Sequence, residues 1–212
     1  TLPSAKDYKR IGEGDTGLNT GGMGSISPVP FADEEFLSKI DKKIIKPTVE
    51  GIIKDKLDYV GFLFIGIIKV ENEPFVIEYN VRMGDPETQV VLPRIKNDFL
   101  ELMIKTASGK LDTITIDVDE MSYSNVVMVS GGYPEVYEKG KKITGLNKEY
   151  ESIVLHAGTK KLNNNIITSG GRVLSVISKG EDFKSALRKS YKTIESIDFE
   201  GKFFRKDLGF DL

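Results

Sequence analysis

The amino-acid sequence predicts an α+β protein, and three features carry that prediction. Helical apolar stripes flank a pair of apolar strand segments in the first half. The second half breaks into short strands between glycine-rich turns, and an amphipathic helix closes the chain. With 212 residues, 39% hydrophobic and 29% charged, there is room for one large domain or two small ones around a real core.

Residues 1–30 read as loop, dense in glycine between Gly12 and Gly24 and closed by Pro28 and Pro30. From Asp33, an N-cap candidate, Phe36, Leu37, Ile40, Ile44 and Ile45 recur at helical spacing. Proline cannot sit inside a helix without losing a hydrogen bond, so this helix is expected to end near Lys46. A second helix is expected from Pro47, carrying Val49, Ile52 and Ile53. Tyr59–Val70 is almost continuously apolar and predicts a strand buried on both faces. Glu71 to Pro74 turns the chain, and Phe75 to Arg82 returns as its partner. Asp98 to Ala107 predicts a helix with Leu100, Met103, Ile104 and Ala107 inward, stopped by Gly109. Beyond it, Ser124–Val129 and Ile153–His156 read as strands, and Ile166–Thr168 with Val173–Ile177 as a hairpin across Ser169-Gly170-Gly171. The last helix is expected near Glu181–Ser196, with Phe183, Leu187, Tyr191 and Ile194 inside. The expected division is 1–109 and 110–212.

Composition excludes several chemistries. Thirty Lys and Arg against 32 Asp and Glu leave a net charge of −2, which gives no electrostatic case for nucleic acid or an anionic membrane. No apolar run approaches the ~20 residues of a membrane helix, and the opening residues do not read as a signal peptide. The absence of cysteine removes thiol catalysis and cysteine-based zinc sites and fits a reducing cytoplasm. One histidine, His156, argues against a His-rich metal site or a Ser-His-Asp triad, and it reads as a packed or hydrogen-bonded residue of an apolar strand. Carboxylates, Arg, Lys and backbone remain.

Two segments concentrate such groups. In Glu78-Tyr79-Asn80-Val81-Arg82, strand alternation sends Glu78, Asn80 and Arg82 to one face. A carboxylate and an amide oxygen suit Mg²⁺, which keeps several waters and bridges to phosphates, and Arg82 can clamp a phosphoryl group. Gly84-Asp85-Pro86 then forces a turn. In the second segment, Lys9 and Arg10 precede a run from Gly14 to Gly24 whose glycines allow backbone N–H groups to converge on an anion. This is neither a Walker loop nor a dinucleotide fingerprint.

The succession G-D-T-G-x-N-T-G-G-M-G, G-F-L-F-I-G and I-E-Y-N-V-R-M-G-D-P-E-T-Q closely resembles the phosphoribosylamine–glycine ligases, ATP-grasp enzymes of purine biosynthesis. The likeness runs on through Gly131-Gly132-Tyr133-Pro134, His156 to Lys160, Gly170-Gly171-Arg172 and Arg205-Lys206-Asp207. It implies the second half of an ATP-grasp domain, an antiparallel sheet with helices, followed by a small mostly-β C-terminal domain with one closing helix. It also implies a cytoplasmic, monomeric ligase that joins glycine to 5-phosphoribosylamine through glycyl phosphate at the expense of ATP. Glu78 and Asn80 match the metal ligands for Mg²⁺ or Mn²⁺, with Arg82 beside them on the nucleotide phosphates and as a catalytic residue. Asp85 is the candidate contact to an amine. Lys9, Arg10, Asp15, Asn19, Thr20, Gly21, Gly22, Met23 and Gly24 are assigned to the phosphoribosylamine side.

Leu18 stands where the family loop usually has proline, and Val60–Val70 lacks the acidic metal ligand of many ATP-grasp relatives. The family's N-terminal domain and nucleotide lid would lie upstream of Thr1, so the chain alone is expected to bind ATP poorly and to turn nothing over. The alternatives are another ATP-grasp carboxylate ligase or a folded remainder without activity.

Overall fold

Two β-rich runs, Ser122–Val129 and Arg172–Gly180, organise the larger part of the molecule. Both are buried along almost their whole length, and apart from the buried Asn125 the covered side chains are mostly apolar or serine. A computed structural model describes residues 1–212. In it the two runs pair antiparallel at the centre of a five-stranded sheet, Val126 opposite Val176. Gly24–Ser27 and then Lys6–Asp7 extend one side, and Ile153–His156 the other. The Phe183–Glu195 helix covers the sheet with Ala186, Leu187, Ser190, Thr193 and Ile194 buried, and a capping box between Asp182 and Ser185 starts it. Beneath it the hydroxyls of Ser124, Ser190, Ser178, Ser152 and Thr193 bond in sequence at 2.7 to 3.1 Å, so none is orphaned. This compact unit comprises residues 1–28, 85–95 and 118–212.

The glycine-dense start is not plain loop. It contributes two strands to the sheet, and Arg10–Gly12 pairs with Thr16–Asn19 as a short hairpin. The hairpin expected across Ser169-Gly170-Gly171 does not form. Asn165–Thr168 pairs instead with Thr159–Leu162, turning at Asn163 and Asn164 with φ of 46° and 64°. Asparagine tolerates that left-handed pair, which matches the strand twist, whereas Arg172–Gly180 is drawn into the sheet centre.

The smaller unit comprises residues 29–84 and 96–117. Asp33 caps the Glu34–Ile40 helix by accepting from the Phe36 N–H at 2.8 Å. The expected break before Pro47 is absent: the backbone stays helical through a wide turn, Asp41–Ile45, into Lys46–Lys54. There the Lys46 N–H bonds to the Asp41 carbonyl, one residue further back than usual, which accommodates the proline ring without ending the helix. Phe64–Val70 and Glu73–Asn80 form a two-stranded hairpin with a bulge after Gly66. The first strand is not buried on both faces, since Ile68 and Val70 are 49% and 46% exposed, and the second stops at Asn80 rather than Arg82. In the Phe99–Ala107 helix the buried residue is Leu102, while Leu100 and Ile104 of the expected inner face are exposed. Gly109 ends this helix as expected, with φ 67° and the two C-terminal bonds Gly109 N–H to Thr106 and Lys110 N–H to Lys105.

The division expected at residues 109 and 110 falls inside the smaller unit. Spatial compactness groups the 85–95 segment with the C-terminal half, while modules in sequence follow a different criterion. No helix is long and apolar enough to cross a membrane.

Candidate functional site

In the smaller unit Glu78 and Asn80 lie two residues apart on one strand and so share a face, as the alternation predicts. Glu78 sits opposite Gly66, and a Cβ there would lie 3.0 Å from the Glu78 Cγ, so the glycine leaves room for the carboxylate. Glu78 is exposed, whereas Asn80 is half-buried and its Nδ2 has no hydrogen-bond partner. Arg82 lies past the strand end, exposed, its Nη1 donating to the Met83 carbonyl at 2.9 Å. Strand alternation therefore does not fix Arg82 on the same face. A carboxylate and an amide oxygen on one strand face are hard ligands that fit a divalent cation whose remaining positions go to water or phosphate, whereas the unpartnered Nδ2 is a hydrogen-bond donor and ligates no cation.

The glycine-rich segment belongs to the larger unit and is fixed at several points. Arg10 Nη1 donates to the Gly17 carbonyl at 2.7 Å, across the hairpin that pairs Arg10 with Asn19. The Thr20 N–H and hydroxyl both reach the Lys9 carbonyl at 2.8 Å, and the same hydroxyl accepts from the Gly22 N–H at 2.9 Å. Gly22 has φ 110°, and a Cβ there would strike the Pro86 ring at 2.2 Å, so only glycine fits. Met23 is fully buried against Val127 and Val129, and Gly24 is a buried strand residue paired with Val126, so neither residue faces a ligand surface. Lys9, Arg10, Asn19 and Gly21 are exposed, and Thr20 is half-buried.

Asp15 points to a partner the sequence left unassigned. Arg205, fully buried, donates from Nη1 to Asp15 at 2.6 Å and to the Arg10 carbonyl at 3.2 Å, and grips Asp207 through Nε and Nη2. Asp207 in turn accepts from the Gly14 N–H at 2.7 Å. Burial opposes the Arg205 charge, but the two carboxylates more than offset it and hold its pKa up. Asp15 thus anchors the hairpin as an ion pair.

Asp85 is also engaged. Its carboxylate takes two bonds from Arg172, at 3.1 and 2.6 Å, and one from the Gln89 amide at 2.9 Å. Nearby, Asp7 has a buried Oδ1 with no hydrogen-bond partner. Burial, then the Glu87 carboxylate, push its pKa up to about 7 against the pull of Lys9 and Arg172. His156 is exposed and not a core residue, its Nδ1 lying 2.9 Å from the Thr159 hydroxyl. Sequence reasoning gave Asp7, Arg172, Arg205 and Asp207 no role. For Arg172, Arg205 and Asp207 the only signal was their place in the quoted motifs, and Asp7 had none, because their partners lie up to 195 residues away along the chain.

Residues 1–88 match the ATP-grasp (A) domain of phosphoribosylglycinamide synthetase, and residues 123–211 match its C domain. The strand carrying Glu78 and Asn80 thus falls within the ATP-grasp domain match and the strand carrying Arg172 within the C domain match. The chain belongs to the phosphoribosylglycinamide synthetase family. It is 44% identical over 97% of its length to the phosphoribosylamine–glycine ligase of Chlorobaculum tepidum, covering 49% of that protein. It is 47% identical over 98% of its length to the bifunctional purine biosynthetic protein of Pichia angusta, covering 27% of it. The crystal structure of phosphoribosylamine–glycine ligase from Thermotoga maritima superposes with a TM-score of 0.86 at 36% identity, covering 97% of this chain and 51% of that one. The chain therefore spans about half or less of the length of these relatives.

Proposed function

We propose that this chain supplies the second half of the ATP-grasp domain and the C domain of an ATP-dependent phosphoribosylamine–glycine ligase. The match of both halves to successive domains of one synthetase carries the reading. The whole protein would transfer the γ-phosphoryl group of ATP to the glycine carboxylate, releasing ADP. The amine of 5-phosphoribosylamine would then attack the acyl carbon and release phosphate. Such transfers need alignment and charge neutralisation more than covalent help.

Glu78 and Asn80 would hold the divalent cation, Mg²⁺ or Mn²⁺, which when bound neutralises phosphate charge. Arg82 would steady the anionic acyl phosphate. The hairpin and glycine-rich turn, anchored through Asp15 and Thr20, would present the exposed Lys9, Arg10 and Asn19 and the Gly21 backbone to the phosphoribosylamine. Asp85 would face its amine. The reading assigns the exposed apolar side chains of the Phe64–Asn80 hairpin to contact with the rest of the ATP-grasp domain, and the reaction to the cytoplasm.

Phosphate release from ATP by the full-length protein tests this directly. Release is expected to require both glycine and 5-phosphoribosylamine, and Glu78→Gln is expected to lower kcat by about 10²-fold. Release that proceeds equally well with another carboxylic acid in place of glycine would assign the protein to a different ATP-grasp ligase. The 212-residue chain alone is expected to show no micromolar binding of Mg-ATP by calorimetry.

A further inference from the structure

Two side chains, Tyr133 and Arg172, meet on one residue, Gly21, holding the two peptide groups on either side of its Cα. A Cβ on Gly171 would lie 2.2 Å from the Tyr133 ring, so the missing side chain lets the ring lie against the strand. That seat is fixed from both ends, because Ser130 bonds the Gly170 and Gly171 carbonyls through its hydroxyl and N–H, and the Tyr133 N–H returns to the Ser130 carbonyl. From there the Tyr133 hydroxyl accepts from the Gly21 N–H at 2.9 Å. The other side of Gly21 is held by Arg172, whose Nη1 donates to its carbonyl at 2.6 Å. A Cβ on Gly21 would come within 3.2 Å of the guanidinium and 3.3 Å of the phenol oxygen, so a side chain would crowd both. The same guanidinium makes the two-bond grip on Asp85.

We propose that Arg172 is a positioning residue of the ligase site, one planar cation that locks the Gly21 carbonyl and the Asp85 carboxylate into a single geometry. Tyr133 serves as the second post of the Gly21 clamp. This rests on the reading that Asp85 and the glycine-rich turn receive the phosphoribosylamine. The chemistry requires arginine: its rigid fork reaches a carboxylate with two donors while Nη1 also serves a carbonyl, and a lysine point charge cannot span both. The loop carries exposed glycines and would otherwise sample many backbone conformers, so holding its peptide in place preserves alignment for attack by the amine.

Steady-state kinetics of the full-length protein test the inference. Wild-type protein that shows no turnover dependent on glycine and 5-phosphoribosylamine overturns the ligase reading and this inference with it, before any variant is made. With wild-type turnover in hand, Arg172→Ala is expected to raise KM for 5-phosphoribosylamine about tenfold or more, with KM for ATP unchanged. Tyr133→Phe, which removes one hydroxyl, is expected to move the same constant in the same direction by a smaller factor. Arg172→Lys is expected to behave as Arg172→Ala, and a return to wild-type values would overturn the fork argument. The combined loss in Arg172→Ala with Asp85→Asn is expected to fall at least about fivefold short of the product of the single losses. Losses that multiply, or a fall in kcat with every KM unchanged, would make Arg172 a general structural residue and overturn the proposal.

Discussion

The two compact units satisfy their side chains in opposite ways. In the larger one, Ile26, Val126, Met128, Leu174, Val176, Ile194 and Ile197 are fully buried, and its deepest cation, Arg205, meets two carboxylates. In the smaller one, Val29, Phe36, Ile44 and Leu102 are the buried apolar residues, while Val60, Ile77, Val81, Leu100 and Ile104 are each more than half exposed. Both sequences are rich in branched and aromatic residues, so hydrophobicity alone does not distinguish them. What differs is the number of layers: a five-stranded sheet under a helix buries its strands, whereas two strands leave apolar side chains in solvent. An apolar surface of that kind marks contact with other protein.

The sharpest way to break this contrast is to remove the charge at the centre of the larger unit. Arg205→Ala leaves Asp15 and Asp207 without their cation and the Gly14 hairpin without its anchor. The expected cost is about 3–5 kcal/mol, read as a lower urea midpoint, because a fully buried side chain with all its hydrogen bonds is lost and the largely covered Asp207 is left uncompensated, while the exposed Asp15 turns to water. A loss below about 1 kcal/mol would show that solvent reaches the ion pair and that the unit is less closed than its burial indicates.

The smaller unit offers an internal control on one helix. Leu102→Ala is expected to cost about 2–4 kcal/mol and Leu100→Ala no more than about 0.5 kcal/mol, by hydrogen exchange across the Phe99–Ala107 helix. Equal costs would mean that the exposed stripe is covered in solution.

Much of this architecture was legible in the sequence, and the failures share a cause. The cap at Asp33, the stop at Gly109 and the closing helix rest on local chemistry, and all stand in the structure. The inner face of the Phe99–Ala107 helix, the burial of Phe64–Val70 and the partner of Arg172–Gly180 depend on which distant segment packs there, and periodicity does not say. The same holds for the site. Glu78 and Asn80 share a face because a strand alternates, but the partners of Asp15 and Asp85 are set by tertiary structure.

Asp7 gives a pH-dependent comparison within the larger unit. Its carboxyl is raised to about 7, so the folded chain binds that proton more tightly than the unfolded chain does. The contribution is full below the usual carboxylate range, about pH 4, and declines as pH rises toward 7. Above that it stays as a constant penalty of a few kcal/mol at most. Asp7→Asn is therefore expected to flatten the urea-midpoint profile between pH 4 and 7 and to exceed wild type at pH 8. An unchanged slope would remove Asp7 as its source.

The smallest effects come from residues held at positive φ. Lys56 follows the Lys46–Lys54 helix at φ 52°, with the Leu57 N–H bonded to Ile52 and the Lys56 N–H to Ile53, the same closure that Gly109 makes after the Phe99–Ala107 helix. Lysine strains there and glycine does not, so Lys56→Gly is expected to stabilise the smaller unit by about 0.5–1 kcal/mol. Asn164→Gly, in the left-handed hairpin turn of the larger unit at φ 64°, is expected to change stability by only a few tenths of a kcal/mol. Asparagine already tolerates that region, and glycine loses more chain entropy on folding. Calorimetric midpoints of the two variants rank them. A larger gain from Asn164→Gly would mean that the hairpin turn, and not the helix end, stores the greater backbone strain.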